Sequence, residues 1–222
     1  MVVMNRKNLR SLAAGVALLL AVGALAGCGG EKKADDSKKM VTVGIAQLVE
    51  HGALDAANKG FVAGMASKGF KENENVKYDR QNAQADQSNL QNIAQRFVSN
   101  KVDLICAIAT PTAQTMANAT KDIPIVATAV TDYEVAKLAA SNNEPKGNVT
   151  GTSDMNPIDQ QLELLLKIAP QTKNIGTVYS SSEVNSQLQV DVLKKLAGDK
   201  GINVIEATVS TVNDIQQAAH SL

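Results

Sequence analysis

The chain reads as an α/β protein made of two doubly wound parallel-sheet lobes. Three observations predict this. From position 41 onward short apolar runs alternate with amphipathic stretches at a spacing of about thirty residues, the rhythm of βα units. A turn-rich stretch over residues 134–148 then breaks the rhythm, and the alternation restarts at Val149. Composition agrees: 222 residues, 44% hydrophobic and 20% charged, are ordinary for a globular chain of one or two domains.

Taken in order, residues 41–46 form the first apolar run suited to a buried strand. Leu54, Ala57, Phe61 and Met65 then fall on one helical face, and Gly69 is placed to stop that helix. Residues 76–80 alternate in polarity and suit an edge strand. Leu90, Ile93, Ala94, Phe97 and Val98 follow at i, i+3, i+4, i+7 and i+8, so a second helix lays one face on the sheet. Residues 102–109 and 123–130 are buried strands in pattern. Ser141, Asn142, Asn143, Pro145 and Gly147 supply turn chemistry, which places the boundary between a first lobe, 41–148, and a second, 149–222.

In the second lobe Ile158, Leu162, Leu165, Leu166 and Ala169 make a third helical face, opened by Pro157 and closed by Pro170. Residues 175–179 and 202–207 are again strand-like. Thr211 and Asp214 form a capping-box pattern, after which Ile215, Ala218, Ala219 and Leu222 carry a helical stripe to the last residue. A helix without a stop signal points to a truncated second lobe; the alternative is a natural end in a docked helix.

The N-terminus is an address. Arg6, Lys7 and Arg10 precede an uncharged apolar run over residues 12–26, the layout of a signal peptide over 1–27. The alternative, a membrane-spanning helix, needs roughly 18 to 20 apolar residues, and Gly15 and Gly23 weaken this run further. Leu25, Ala26, Gly27 and Cys28 resemble the lipobox of bacterial lipoproteins, in which the Cys thiol takes a diacylglyceryl group; one acyl chain alone binds membranes only marginally. Residues 28–40 then read as a flexible tether. Removing residues 1–27 takes away three basic residues and no acidic one, leaving 19 against 22, a net charge of −3.

Balanced charge, two His, three Tyr, three Phe and no Trp argue against nucleic-acid binding. Cys106 lies inside an apolar run and packs as a small hydrophobe rather than serving redox or metal chemistry. The chain carries no Walker A run, no G-x-G-x-x-G, no G-x-S-x-G, no H-E-x-x-H and no Cys/His pair with zinc spacing. No enzyme activity, metal or cofactor is therefore expected.

In open α/β sheets ligands bind beyond the carboxyl ends of the strands, and those loops are polar here. After the first strand come Gln47, Glu50, His51 and Asp55; His51 reads as a base, a ligand contact or a surface group. Thr110 before Pro111 fits an N-cap, and the helix start with Thr112, Ala113 and Gln114 offers backbone N–H groups that either hold a carboxylate or simply need capping. Thr131 and Asp132 suit an ammonium group. Ser153, Asp154 and Asn156 precede Pro157, with Asn156 as cap and Asp154 free. Tyr179 leads into a hydroxyl-rich turn with Glu183, Asn185 and Ser186.

Gly44, Ile45, Ala46 and Gln47 leading to His51, Leu54 and Asp55 resemble the opening of the substrate-binding lipoproteins of ABC importers, in the group associated with tryptophan and tyrosine uptake. Residues 109–114, Val130 to Asp132, Gly151 to Asp154, and Glu183 with Asn185 and Ser186 match in the same order, across nearly all of the mature chain. The resemblance implies the type I periplasmic-binding-protein fold, two α/β lobes closing on a ligand, with further strands in the second lobe and a return to the first. It implies a monomer, lipid-anchored outside the cytoplasm through Cys28, that captures a small amino acid and delivers it to an ABC permease and its ATPase. Thr110 and the Ala113 and Gln114 backbone would hold the carboxylate, Asp132 or Asp154 the ammonium, and Tyr179 would stack on the side chain. A ligand-sensing lipoprotein coupled to a signalling partner is the alternative. Two departures stand out: Gly52 where the family commonly has Pro, and Ser180, Ser181 and Ser182 in place of an Asn-Pro-Gly type turn.

Overall fold

The computed structural model describes residues 40–145 and 147–222. The signal peptide, Cys28 and the tether through residue 39 lie outside the described residues. Five parallel strands form the main sheet: β1 (Val41–Gln47), β2 (Val76–Asn82), β3 (Leu104–Ile108), β4 (Ile125–Val130) and β7 (Val149–Ser153). Their order is β2-β1-β3-β4-β7, so the chain first steps one way from β1 and then returns past it. That reversal puts a topological switch point between β1 and β3, where Gln47 pairs with Ile108.

Side-chain alternation sorts the two faces. Val43, Ile45, Val76, Tyr78, Cys106 and Ile108 meet Leu54, Phe61 and Met65 of α1 (Gly52–Ser67) on one face. Ala46, Ile105, Ala107, Ile125 and Ala127 meet Leu90, Ile93 and Phe97 of α2 (Gln87–Ser99) and Ala113 and Met116 of α3 (Thr110–Ala119) on the other. The second cluster is the larger core. It requires Gly44 in β1, because a Cβ there would lie 2.8 Å from the Phe97 ring. As the alternation predicts, β2 is the edge strand, and Gly69 ends the turn after α1 with φ +88°.

The second lobe holds α4 (Ile158–Ile168), β8 (Asn174–Ser180), α5 (Val184–Gly198), β9 (Asn203–Val209) and α6 (Ile215–His220), with β8 and β9 pairing in parallel. Leu162, Ile175, Ala197 and Ile202 form its core. The Thr211/Asp214 capping box is present and opens a 3₁₀ turn, Val212–Asp214, ahead of α6.

Four details correct the expectations from sequence. The strand from Val149 pairs with β4 and is the far strand of the first sheet, so that sheet extends through Ser153 rather than ending before residue 149. The stretch over 134–148 contains a small antiparallel hairpin, β5 (Ala139–Ser141) with β6 (Glu144–Pro145). The terminal helix ends at His220, and the amide of Ser221 bonds back to Gln217 and Ala218. Strand bounds also move inward, from 102–109 to Leu104–Ile108 and from 123–130 to Ile125–Val130.

Candidate functional site

The carboxyl ends of β1, β3, β4, β7 and β8 carry the candidate residues, and the structure ties them into local groups. At the end of β1 the Gln47 carboxamide is 4% exposed and fully engaged. It donates to Val49 O (2.8 Å) and Asp55 Oδ1 (2.6 Å), and accepts from Asn58 Nδ2 (3.1 Å). These bonds brace the loop from β1 into α1. His51 is the N-cap of α1, its Nδ1 accepting from the Ala53 amide at 3.3 Å. That bond gives His51 a capping role at the start of α1. Beside this loop an open polar cavity of about 450 Å³ is lined by Gln47, Glu50, Asp55, Asn58, Lys59, Arg80, Gln81 and Asn82.

Beyond β3 the helix begins one residue earlier than its sequence suggests. Ala109 is the N-cap, at φ +89° and without a side-chain cap; Thr110 is already helical and Pro111 follows in the first turn. The Thr110 hydroxyl, 2% exposed, instead accepts from the Thr131 amide (3.4 Å). Thr131 O accepts from Ser153 Oγ (2.7 Å), and the Asp154 amide donates to Val130 O (3.1 Å). Thr110, Thr131, Ser153 and Asp154 are thus drawn together across three strand ends. Ala113 is buried in the first turns of α3, while Gln114 donates to Ala136 O (3.1 Å). The Thr112 hydroxyl, in the same first turn, is buried without a partner.

The two acidic candidates differ sharply. Both carboxylate oxygens of Asp132 are occupied, Oδ1 by the Val135 amide and Oδ2 by Asn142 Nδ2, each at 2.8 Å. Asp154 is exposed, and its carboxylate makes no hydrogen bond among the described residues. Asn156 does not cap α4, whose N-cap is Pro157; its Nδ2 reaches Gln189 Oε1 of α5 at 2.7 Å.

In the second lobe Tyr179 is half-buried, its hydroxyl shared between Glu206 Oε2 (2.8 Å) and Gln187 Oε1 (3.1 Å). Lys194 pairs with the other oxygen of Glu206 at 2.5 Å. The hydrogen bond to Glu206 raises the Tyr179 phenol above its ordinary value, and that from Lys194 holds Glu206 below its own. Glu183 is the N-cap of α5 without a side-chain cap; its carboxylate accepts from Asn185 Nδ2 (3.2 Å) and its carbonyl from the Ser186 amide (3.1 Å). The Asn185 oxygen is buried without a partner. Among the described residues no group of three His, Cys, Asp or Glu is arranged to hold a metal. Burial pushes the Cys106 thiol up to about 12, in keeping with a packing role.

The sequence does not announce the positive φ of Ala109 and Ala129, nor Tyr133, whose hydroxyl reaches across two strands. Nothing marks a strained alanine in a sequence. Gly151, a glycine inside a strand pattern, was the available sign of a close approach.

The family model described as ABC transporter substrate binding protein matches residues 42–222. A tyrosine-binding protein of Clostridioides difficile (strain R20291) is 48% identical, over 98% of this chain and 65% of that protein. An ABC domain in complex with L-Trp from Streptococcus pneumonia superposes with a TM-score of 0.79 at 40% identity. The ligand-free, open structure of a Clostridium difficile substrate binding protein with adhesive properties gives 0.62 at 50% identity. Both structural matches cover 82% of this chain and 62% of the other, so the chain spans a little under two thirds of these relatives.

Proposed function

This chain belongs to the ABC transporter substrate binding protein family, and from that premise we propose that it captures an aromatic amino acid, of the tryptophan or tyrosine kind, and delivers it to an ABC import permease. It works outside the cytoplasm, tethered by lipid on Cys28. The observation that carries the ligand reading is the pairing of poles at the strand ends. The first turn of α3 offers the Thr110 and Thr112 amides and the positive end of a helix dipole, with no Lys or Arg in that turn; Pro111 has no N–H and the Ala113 amide already bonds Ala109 O, so these two amides take the place expected of the Ala113 and Gln114 backbone. Asp154, joined to it through Ser153, Thr131 and Thr110, offers an unengaged carboxylate. One pole suits an α-carboxylate and the other an α-ammonium. Asp132, with both oxygens occupied, serves instead to hold its own loop.

Names of the relatives support an aromatic side chain, since one is called tyrosine-binding and another was solved with L-Trp. We assign Tyr179 and the turn with Glu183, Asn185 and Ser186 to the second lobe's share of the proposed site. The described residues superpose better on the L-Trp complex than on the ligand-free, open neighbour, although identity to the latter is higher.

Thermal unfolding of the chain from Gly29 with a panel of amino acids tests the reading. A ligand at a hundredfold excess over Kd adds about 2.7 kcal/mol, or roughly 5 to 10 °C for a domain of this size. The expected result is a shift with tryptophan, tyrosine or phenylalanine and none with leucine or glutamate. A cooperative melt unmoved by any aromatic amino acid overturns the proposal.

A further inference from the structure

The ladder between β4 and β7 skips a rung. Ile125, Val126 and Ala127 face Val149, Thr150 and Gly151, and pairing then resumes at Val130 with Ser153. Three steps along β4 answer two along β7, so β4 carries one extra residue, and Ala129 takes up the slack at φ +54°. A bulge of this kind leaves backbone groups without ladder partners. Into this gap comes the Tyr133 hydroxyl, 2.9 Å from Ala127 O and 3.2 Å from Thr152 O. Its single proton is donated to the nearer carbonyl and shared toward the other.

The surroundings are shaped for this side chain. Tyr133 is 6% exposed and sits in the larger core with Ala136 and Leu138. Its amide donates to Asn142 Oδ1 at 2.7 Å, fixing the turn that aims the ring. On β7 the place opposite is glycine: a Cβ at Gly151 would lie 2.2 Å from the phenol oxygen and 1.9 Å from Ala127 O. Any larger residue would expel the hydroxyl or push the strands apart.

We propose that Tyr133 is a positioning residue whose hydroxyl replaces the skipped rung and so sets the register at which β7 delivers Ser153 and Asp154 to the strand ends. One rung beyond the plug stand the bonds that assemble the candidate site: Ser153 to Thr131, Asp154 to Val130 and Thr131 to Thr110. The same strand leads directly into residues 154–157 and α4, so the plug also fixes where the chain departs for the second lobe. For ligand affinity the inference rests on the function proposed above; for strand register it does not.

Tyr133→Phe removes only the hydroxyl and keeps the ring in the core. In the full chain, amide hydrogen exchange is expected to speed up at least tenfold over residues 149–156 while α2 exchanges as before. Gly151→Ala, which reaches the plug from the other strand, is expected to give the same localised change. Calorimetric titration is expected to show L-tryptophan binding weakened at least fivefold in Tyr133→Phe. Unchanged exchange over 149–156 in both variants, or acceleration spread equally over α2, overturns the proposal. If the unaltered chain takes up no aromatic amino acid, the functional reading fails and the exchange data still decide the role of Tyr133. If it binds tryptophan and Tyr133→Phe binds it equally well despite faster exchange, the link from register to ligand is overturned.

Discussion

Ala109 holds φ +89° and ψ 153°, a region open in practice only to glycine, at the point where β3 turns into α3. Such a residue stores about 1–3 kcal/mol of strain. It persists because both sides are held: its amide donates to Thr128 O at 3.0 Å and its carbonyl accepts from the Ala113 amide at the same distance. Ala109→Gly is therefore expected to stabilise the chain by about 1 kcal/mol after the greater freedom of unfolded glycine is allowed for, read as a rise in melting temperature of about 2–4 °C. Cys106 and Tyr133 make a second expectation. Burial pushes both up to about 12, from ordinary values of 9 and 10. The folded chain then keeps protons that the unfolded chain releases, so stability is full below pH 9 and falls as pH rises from 9 to 12. Urea midpoints at pH 8 and pH 11 are expected to differ less in Cys106→Ala/Tyr133→Phe than in the parent. Thr110 shows why residue roles were only partly legible. A hydroxyl before proline looks like a cap, and only the backbone of Ala109, which no sequence pattern announces, moves the cap one place back.

At the scale of elements the amphipathic pattern carried most of the information. The stripes through Phe61 and through Phe97 emerge as the core faces of α1 and α2, and the alternation in β2 as an edge strand. Local periodicity decides these, because each helix has one sheet face to cover. What periodicity does not encode is pairing: β7 reads equally well as the last strand of one sheet or the first of another, and only its contact with β4 settles it. The β5 and β6 hairpin has too few residues to show a period. Helix ends give a direct test. Asp86 caps α2 through a 2.8 Å bond to the Asn89 amide, and Asp86→Ala is expected to destabilise by about 1 kcal/mol in urea unfolding. Gly44→Ala, whose methyl would press on the Phe97 ring at 2.8 Å, is expected to destabilise by about 1–3 kcal/mol.

Across the whole molecule, the strand order places the ends of β1 and β3 at a switch point, and the turn into α3 brings an uncharged donor pole there. β7 brings Asp154 to the same set of strand ends before the chain crosses to α4, where Asn156 already bonds Gln189 of α5. Under the function proposed above, a ligand gripped at both poles by the first lobe and by the Tyr179 side of the second would draw the lobes together. The most direct test of this account is calorimetric titration with L-tryptophan, tryptamine and indole-3-propionate, which keep both poles, the ammonium alone and the carboxylate alone. The account predicts that L-tryptophan binds at least tenfold more tightly than either analogue, and that Asp154→Asn narrows the gap between L-tryptophan and indole-3-propionate. Equal binding of all three would contradict it.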